Sequence, residues 1–209
     1  MKIVVFGATG RTGTEIVRQA LAAGHEVTAF VRNPAKLGIE AQPLIVFQGD
    51  VLDPAAVEKA VAGQAAVVSA LGPTRPPVPG MMAAAAKNIL AAMQKAGIRR
   101  LVSITGAGVR DPHDQPRLMD HIMQGLLSLL ASDVLKASAA SVEVIQGCDL
   151  DWTIVRFPRL VNGNHTQKYR VGFIGKGSGS QLSRADAADF VLRELVEKKY
   201  VHQMPVASY

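Results

Sequence analysis

The residue types best suited to chemistry form a glycine-rich turn near the amino terminus. The sequence Gly-Ala-Thr-Gly-Arg-Thr-Gly runs from Gly7 to Gly13 and directly follows the apolar run from Ile3 to Phe6. The glycines permit a tight turn, a close approach of the backbone to a ligand and close packing of the next helix on the strand. The first N–H groups of that helix and its positive dipole end suit a diphosphate. The motif therefore predicts dinucleotide binding, and the alternative is a structural turn in an α/β domain.

The charges near this turn indicate which dinucleotide would bind. Many proteins that bind NAD(H) carry an acidic residue at the end of the second strand, where it holds the ribose 2′-hydroxyl. Here the second predicted strand ends in Arg32, Arg11 lies inside the glycine turn, and Glu26 is about 16 Å away at the opposite end of the strand. A guanidinium can grip a 2′-phosphate through two parallel hydrogen bonds, so we expect NADP(H) to be preferred, with NAD(H) possible. The alternative for each arginine is an ordinary surface charge.

Two further strand ends are expected to contact the cofactor. Asp50 follows the third strand, where its carboxylate could accept a hydrogen bond from the adenine amino group or cap the helix that begins near Pro54. The run from Ala70 to Gly72 follows the fourth strand, where the backbone must pass close to the cofactor ribose. The cofactor-binding residues expected from these patterns are Gly7, Ala8, Thr9, Gly10, Arg11, Thr12, Gly13, Arg32, Asp50, Val51, Ala70, Leu71 and Gly72.

Strand and helix patterns alternate along the chain. Strands are predicted at about residues 2–6, 26–31, 44–48, 65–70, 100–105 and 151–156, and helices at about 11–23, 54–62, 80–96, 117–147 (broken near Ser132 and Asp133) and 184–197. Near-continuous apolar strands are typical of a parallel sheet that is buried on both faces. We therefore expect an α/β fold, a Rossmann-type doubly wound parallel sheet with helices on both faces. Residues 1–209 are expected to form one NAD(P)-binding domain, with a small elaboration at about 157–209 that includes a hairpin or loop at 168–179.

Composition narrows the classes of partner. The chain has 209 residues, 48% of them apolar, and its net charge of +6 is scattered without an aromatic-and-basic motif, so we expect no nucleic-acid binding. Cys148 is the single cysteine, which excludes an internal disulfide and a multi-cysteine metal site, and His25, His165 and His202 show no metal-ligand spacing with any acid or thiol. No apolar run approaches the ~18 residues of a membrane helix, and the amino-terminal run is too short for a signal-peptide core. These features predict a cytoplasmic protein with no metal and no membrane partner, as a monomer or a homodimer.

Four segments resemble the atypical short-chain dehydrogenases, in particular the NAD(P)H-binding, NmrA-like and flavin/biliverdin-IXβ reductase-like proteins. The segments are Gly7–Gly13, Gly49–Val51, Leu150–Arg156 and Ser183–Asp186. They span nearly the whole chain and imply the fold and cofactor binding but no single substrate, because this superfamily supports many chemistries and some members only sense the cofactor. The resemblance also implies that Arg11 and Arg32 read the 2′-phosphate. The residues that it places beside the nicotinamide are Thr105, Gly106, Phe157 and Pro158.

The sequence departs from this family at its catalytic positions. Typical members use a tyrosine and, four residues later, a lysine on the long helix, together with a serine after the fifth strand. Val134, Ser138 and Gly106 stand at these three positions here. Lys136 lies about 200° around the helix from the lysine position, and all the tyrosines lie at Tyr169 or beyond. The usual machinery for proton delivery is therefore expected to be absent.

A missing acid limits the acceptors that can be reduced. Reduction of an ordinary ketone creates an alkoxide, which needs a proton donor or an oxyanion partner. A flavin, a quinone or a linear tetrapyrrole spreads the charge over a large π system and can take its proton from water, so that positioning supplies most of the rate. We therefore expect an NADPH-dependent reductase of a small conjugated acceptor. The alternative is a non-catalytic NADP(H)-binding redox sensor or regulatory protein, and the missing tyrosine and lysine disfavour an epimerase or dehydratase.

Loop residues supply the remaining site predictions. Arginines that follow the predicted strands could pair with a phosphate or propionate of the substrate, and the alternative for each is a solvated charge. These substrate-binding candidates are Arg75, Arg110, Arg117 and Arg159. The resemblance implies that Arg75 and Arg117 are pocket arginines. The candidate proton donors are His113, His121 and Thr105, although a histidine on a loop or helix surface is the commoner case.

Overall fold

A mostly parallel β-sheet forms the central layer of the computed structural model, which describes residues 1–41, 43–74, 76–116, 132–175 and 178–209. The strands are β1 (Lys2–Phe6), β2 (Glu26–Val31), β3 (Leu44–Gln48), β4 (Ala66–Ser69), β5 (Arg100–Gly106), β6 (Asp151–Phe157), β7 (Arg159–Val161), β8 (Arg170–Gly172), β9 (Gln181–Ser183) and β10 (Val206–Ser208). The helices are α1 (Arg11–Ala22), α2 (Pro54–Val61), α3 (Met81–Ala96), α4 (Ser132–Gln146) and α5 (Arg184–Glu197).

The strand order confirms the predicted doubly wound sheet. The order is β3-β2-β1-β4-β5-β6-β10-β8, and neighbouring strands are parallel except for β10 and β8. The chain moves outward from β1 to β3, returns to the middle, and then moves from β4 to β6 in the other direction. The order therefore reverses between β1 and β4, and a sheet of this type binds its ligands in the crevice at such a reversal.

Helices cover both faces of this sheet. Residues Ile3–Phe6 of β1 have no exposed surface, and successive residues point to opposite faces. On one face, Ile16 of α1 and Val191 of α5 pack in the same apolar cluster as Ile3. On the other face, α2, α3 and α4 enclose the second cluster, which contains Ile89 and Ile145. This double burial explains why the central strands are continuously apolar.

The carboxyl-terminal region contains strands that the sequence did not predict. Val206 of β10 lies opposite Arg156 of β6 on one side and opposite Gly172 of β8 on the other. The strands β7 and β9 form a separate two-stranded parallel sheet, with Leu160 opposite Leu182. The prediction of a hairpin or loop at 168–179 was therefore incomplete, because β8 extends the main sheet by pairing with β10.

Residues 117–131 lie outside the described residues, as do Gln42, Arg75 and residues 176–177. Of the helix predicted over 117–147, the part from Ser132 to Gln146 is present as α4. The break predicted near Ser132 stays a prediction. Within the described ranges, no helix has both the length and the apolar character needed to cross a bilayer.

Candidate active-site cleft

A cleft of about 580 Å³ lies at the carboxyl ends of β1, β4, β5 and β6. Its volume is in the range of small-molecule and cofactor sites. The predicted cofactor-binding residues that line it are Gly10, Arg11, Thr12, Gly13, Ala70, Leu71, Gly72, Thr105, Gly106, Phe157 and Pro158. The predicted residues outside its lining are Gly7, Ala8, Thr9, Arg32, Asp50 and Val51.

The glycine motif makes the tight turn and the close helix packing expected of it. Gly7 has a φ of +77°, and a Cβ atom there would lie 2.6 Å from the carbonyl oxygen of Ala70. A Cβ atom on Gly13 would lie 2.1 Å from the carbonyl oxygen of Gly7. The N–H of Gly10 donates to that same oxygen at 2.9 Å and closes the turn. The helix α1 can therefore approach β1 this closely only because Gly13 has no side chain.

The amino end of α1 opens into the cleft without a capping side chain. Gly10 is its N-cap residue, with extended backbone geometry at φ −72° and ψ 156°. Glycine cannot satisfy the first N–H groups of the helix as a serine or aspartate N-cap would. The first turn of α1 also holds no acidic side chain. These N–H groups and the positive end of the helix dipole suit an anionic ligand such as a diphosphate.

Arg32, Asp50 and Val51 lie past the ends of β2 and β3, outside the lining. In a doubly wound sheet this side of the crevice takes the adenosine half of a dinucleotide. Arg32 is exposed there, and Val51 is buried. The Asp50 carboxylate accepts a hydrogen bond from the Leu52 N–H at 2.9 Å, and Asp53 is the N-cap of α2. The alternative role of Asp50 as the cap of that helix is therefore wrong.

The lining also contains six residues that do not belong to the predicted cofactor-binding set. They are Pro73, Met82, Ile104, Ser138, Leu160 and Arg184. Two of them had a usable signal, because Arg184 lies in a segment that carries the family resemblance and Ser138 stands at the position of the family lysine. Met82 reaches the cleft from the start of α3, and Pro73 and Leu160 lie in the segments that follow β4 and β6, where a ligand crevice is expected.

The described lining lacks the side chains that usually deliver a proton. It contains no tyrosine, lysine, histidine, aspartate or glutamate. Its polar side chains are those of Arg11, Thr12, Thr105, Ser138 and Arg184. Ser138 is 8% exposed, and Val134 is not part of the lining. Neither Val134 nor Ser138, which stand at the family's tyrosine and lysine positions, therefore supplies an ionisable side chain to the described lining.

A buried ion pair holds the loop that follows β5. Arg156 of β6 has no exposed surface, and its guanidinium contacts the carboxylate of Asp114. Burial alone would raise the pKa of the Asp114 carboxyl, but the hydrogen bonds and charge of Arg156 outweigh burial and hold that pKa below its usual value. The Ile174 N–H also donates to Asp114, at 3.0 Å. The loop that borders the cleft beyond Gly106 is thus attached to both β6 and the segment after β8.

Several candidates for substrate binding and proton transfer do not line the cleft. The His113 Nδ1 atom lies 2.8 Å from an Asp111 carboxylate oxygen, and its ring packs on Phe173 with the centroids 5.1 Å apart. Arg110 and Arg159 are exposed and also lie outside the lining. The candidates that fall outside the described residues are Arg75, Arg117 and His121. Among the side chains that are described, no three His, Cys, Asp or Glu are grouped to hold a metal ion.

A family described as NAD(P)H-binding matches residues 7–198, from the glycine motif to the end of α5. The chain belongs to this NAD(P)H-binding family. The match confirms the resemblance to the atypical short-chain dehydrogenases, and with it the Rossmann fold. Membership of the NAD(P)H-binding family agrees with the glycine turn, the open end of α1 and the position of the cleft, but it specifies no substrate.

Proteins with differing descriptions are similar to this NAD(P)H-binding chain over nearly its whole length. The uncharacterized protein YwnB of Bacillus subtilis is 28% identical over an alignment of 214 positions. The alignment covers 97% of this chain and 96% of YwnB. A Bacteroides thetaiotaomicron structure, provisionally described as an epimerase, is 28% identical with a TM-score of 0.84 and covers 100% of this chain and 96% of that one. ChuY of Escherichia coli O157:H7, described as an anaerobillin reductase, is 21% identical with a TM-score of 0.79 and covers 100% of this chain and 97% of that one. At this identity ChuY shows the fold alone.

Proposed function

We propose that the protein is an NADPH-dependent reductase that transfers hydride to a small conjugated acceptor, such as a flavin, a quinone or a tetrapyrrole-like molecule. One observation carries this proposal: a dinucleotide-binding turn opens into a cleft whose described lining has no side chain that titrates near neutral pH. Such a site can position a hydride donor beside an acceptor. Its described lining offers no ionisable general acid with which to protonate a reduced carbonyl.

The residues around the glycine turn fit NAD(P)H. The turn has no room for side chains at Gly7 and Gly13, and the uncapped start of α1 offers N–H groups to the diphosphate. When bound, the dihydronicotinamide supplies a hydride. We assign its ring to the wall formed by Thr105, Gly106, Phe157 and Pro158, where the ends of β5 and β6 meet.

A preference for NADPH over NADH is part of the proposal. Arg32 is exposed directly after β2, where proteins that bind NAD(H) commonly carry an acid. Arg11 is exposed at the start of α1, inside the cleft. Charge-assisted hydrogen bonds contribute about 1.5–3 kcal/mol each, so two of them would favour NADPH by on the order of a hundredfold.

The acceptor side of the cleft suits a flat apolar molecule. Met82, Ile104 and Leu160 supply apolar surface next to the hydroxyls of Thr105 and Ser138. A conjugated ring system gains free energy from contact with this surface and spreads the charge that arrives with the hydride. Its proton comes from water. Of the loop arginines, Arg75 and Arg117 are proposed to meet an anionic group on the acceptor, whereas Arg110 and Arg159 lie outside the cleft lining.

The same lining favours a second function, a non-catalytic NADP(H)-binding sensor or regulatory protein. Such a protein needs a dinucleotide site but no proton donor. The described lining contains the glycine turn and no ionisable donor, so it meets both conditions. An epimerase or dehydratase fits less well, because it needs a base to remove a proton from its substrate.

Turnover separates the reductase from the sensor. The protein is mixed with NADPH and, in turn, FMN, a quinone and a linear tetrapyrrole, and the nicotinamide absorbance is followed. We expect NADPH oxidation well above the protein-free background with at least one acceptor. Binding of NADPH without oxidation by any acceptor would refute the reductase and favour the sensor.

A variant of the N-cap residue of α1 tests whether NADPH binds at the glycine turn. Gly10→Asp introduces a favourable N-cap residue at a backbone geometry that aspartate adopts readily, but it places a carboxylate where the diphosphate would lie. Its Cβ atom would lie 3.2 Å from the Gly7 carbonyl oxygen, so the turn must shift slightly to accept it. This variant should remain folded by circular dichroism and lose NADPH binding and oxidation together. Oxidation at the wild-type rate would remove the turn from the site.

The proposal includes the setting in which the reductase works. We expect a small-molecule substrate, no nucleic-acid or membrane partner, a cytoplasmic location, and a monomer or homodimer.

A further inference from the structure

Two arginines from distant parts of the chain line the same cleft. Arg11 is the first residue of α1, and Arg184 is the first residue of α5. The helices pack side by side, and the Gln19 side chain of α1 donates to the carbonyl oxygen of Ala185 at 2.9 Å. The start of α5 is therefore held against α1. The glycine motif contains Arg11 but does not predict any role for Arg184.

The hydrogen-bond partners of Arg184 are neutral. Its Nη1 donates to Oδ1 of Asn162 at 2.7 Å, and its Nη2 donates to the carbonyl oxygen of Leu160 at 2.9 Å. These two bonds orient the guanidinium but leave its charge uncompensated. Because a guanidinium has five N–H donors, it can still bind a third partner in the cleft.

The more deeply buried arginines of this protein are held differently. Arg100 pairs with Glu194 at 2.9 Å and Arg156 pairs with Asp114 at 2.6 Å, so each has a buried carboxylate as its counter-ion. Within the described ranges, neither Arg11 nor Arg184 has a carboxylate at ion-pair distance. Arg11 is exposed and Arg184 is part-buried, so water or a bound anion can meet their charges.

The two cleft arginines also act on each other. Burial lowers the pKa of the Arg184 guanidinium, and the positive charge of Arg11 lowers it further. Two like charges on one wall repel each other until an anion binds between them. The fold thus keeps a positive potential at the mouth of α1 that a bound anion would relieve.

We infer that Arg11 and Arg184 form a two-arginine site for a phosphoryl group of a ligand in the cleft. Planar guanidiniums bind phosphate oxygens in pairs of parallel hydrogen bonds, and the N–H groups at the start of α1 lie beside Arg11. The inference rests on the proposed function, because the phosphoryl group belongs either to the dinucleotide diphosphate or to the phosphate of an acceptor such as FMN. In both cases Arg184 contacts the ligand, and Asn162 positions Arg184.

This site can be tested by calorimetric titration. Wild-type protein, Arg11→Gln and Arg184→Gln are each titrated with NADPH, NADH, FMN and riboflavin. If the diphosphate is the ligand, Arg184→Gln weakens NADPH and NADH by a similar factor, about tenfold or more. If the acceptor phosphate is the ligand, the same variant weakens FMN by that factor and leaves riboflavin and both dinucleotides unchanged. Arg11→Gln should weaken the same ligands as Arg184→Gln. Because Arg11 is also assigned to the 2′-phosphate, it should in either case weaken NADPH more than NADH.

Further variants separate ligand binding from structural damage. Arg193→Gln removes the same charge from α5, but Arg193 pairs with Glu197 outside the lining and should leave all four affinities unchanged. Asn162→Ala keeps both charges and removes one orienting bond, so its loss should be smaller than that of Arg184→Gln. Arg184→Lys should recover part of the affinity. Circular dichroism and thermal unfolding verify that each variant is folded.

The possible results distinguish this site from the reductase proposal. Unchanged affinity of Arg184→Gln for every ligand that the wild type binds, or an equal loss in Arg193→Gln, overturns the two-arginine site. Wild-type protein that binds NADPH but oxidises it with no acceptor refutes the reductase and leaves the binding comparison intact. Wild-type protein that binds none of the four ligands overturns both.

Discussion

Arg156 and Asp114 form a two-point ion pair, with Nη1 2.6 Å from one carboxylate oxygen and Nη2 2.7 Å from the other. The same guanidinium donates to the carbonyl oxygens of Val109, at 3.0 Å, and Met204, at 2.7 Å. One buried side chain therefore joins β6, the loop after β5 and the segment that leads into β10. The loop beside the cleft depends on this junction.

Replacing Asp114 by Asn should lower the free energy of unfolding by about 3–5 kcal/mol, because Arg156 would keep a buried charge without its counter-ion. Urea unfolding followed by circular dichroism measures the change. Asp149→Asn is the matched control, since the Asp149 side chain is 98% exposed and lies 3.8 Å from Arg99 in solvent. It should have little effect. Similar losses in the two variants would show that burial of the Arg156 pair is unimportant.

Acid should weaken the same junction. The pKa of the Asp114 carboxyl in the folded protein lies below its usual value. Such a group contributes stability that is fully present above its unfolded pKa, about 3.9, and that is lost as the pH falls through the lower folded pKa. The free energy of unfolding should therefore fall on acidification below about pH 4. Urea titrations at several pH values should show a shallower fall for Asp114→Asn than for wild type, and identical slopes would contradict this assignment.

The preference for NADPH over NADH should depend on the charge of Arg32, the residue that follows β2. Arg32→Asp removes one guanidinium and introduces the acid that proteins binding NAD(H) carry there, so it should weaken NADPH by about tenfold or more while changing NADH much less. Calorimetric titration with both nucleotides measures the ratio. Arg18→Asp is a control for the charge change, because Arg18 lies on the exposed side of α1 next to Glu15. Equal losses of NADPH and NADH would remove Arg32 from the 2′-phosphate site.

The close packing of α1 on the glycine turn should be disrupted by a single methyl group at position 13. Gly13→Ala would put a Cβ atom 2.1 Å from the Gly7 carbonyl oxygen, so α1 must move. We expect a loss of stability of about 1–3 kcal/mol and a weaker affinity for NADPH. Gly147→Ala places its Cβ atom 3.5 Å from the nearest backbone oxygen and should change neither quantity. Thermal unfolding and calorimetry compare the two variants, and a Gly13→Ala protein with wild-type affinity would contradict the packing argument.

The sequence predicted the parts of this fold that have a strong local pattern. The strands β1 to β6 are short and mostly apolar runs, and α1 to α3 follow the apolar spacing of a helix. The strands β8 and β10 have three residues each. They form only because β10 pairs with β6 on one side and with β8 on the other. Such pairing depends on distant residues and leaves no periodic signal in so short a run.

The residues of the cleft also fall into two groups, those that a local sequence pattern predicts and those that it does not. The glycine turn and the run from Ala70 to Gly72 were predictable, because a turn and a strand end are local features. Arg184 and Ser138 reach the cleft from α5 and α4, and their positions follow from how those helices pack on the sheet. The partnership of Arg156 with Asp114 likewise joins segments that no local pattern relates.

The composition of the cleft has a consequence for how a reductase of this type would choose among acceptors. A site without an ionisable proton donor gives no advantage to a molecule whose reduced form is a strong base. Acceptors would then be ranked by their midpoint potentials and by how well their rings stack in the cleft, and the pH–rate profile would reflect the acceptor's chemistry rather than the protein's.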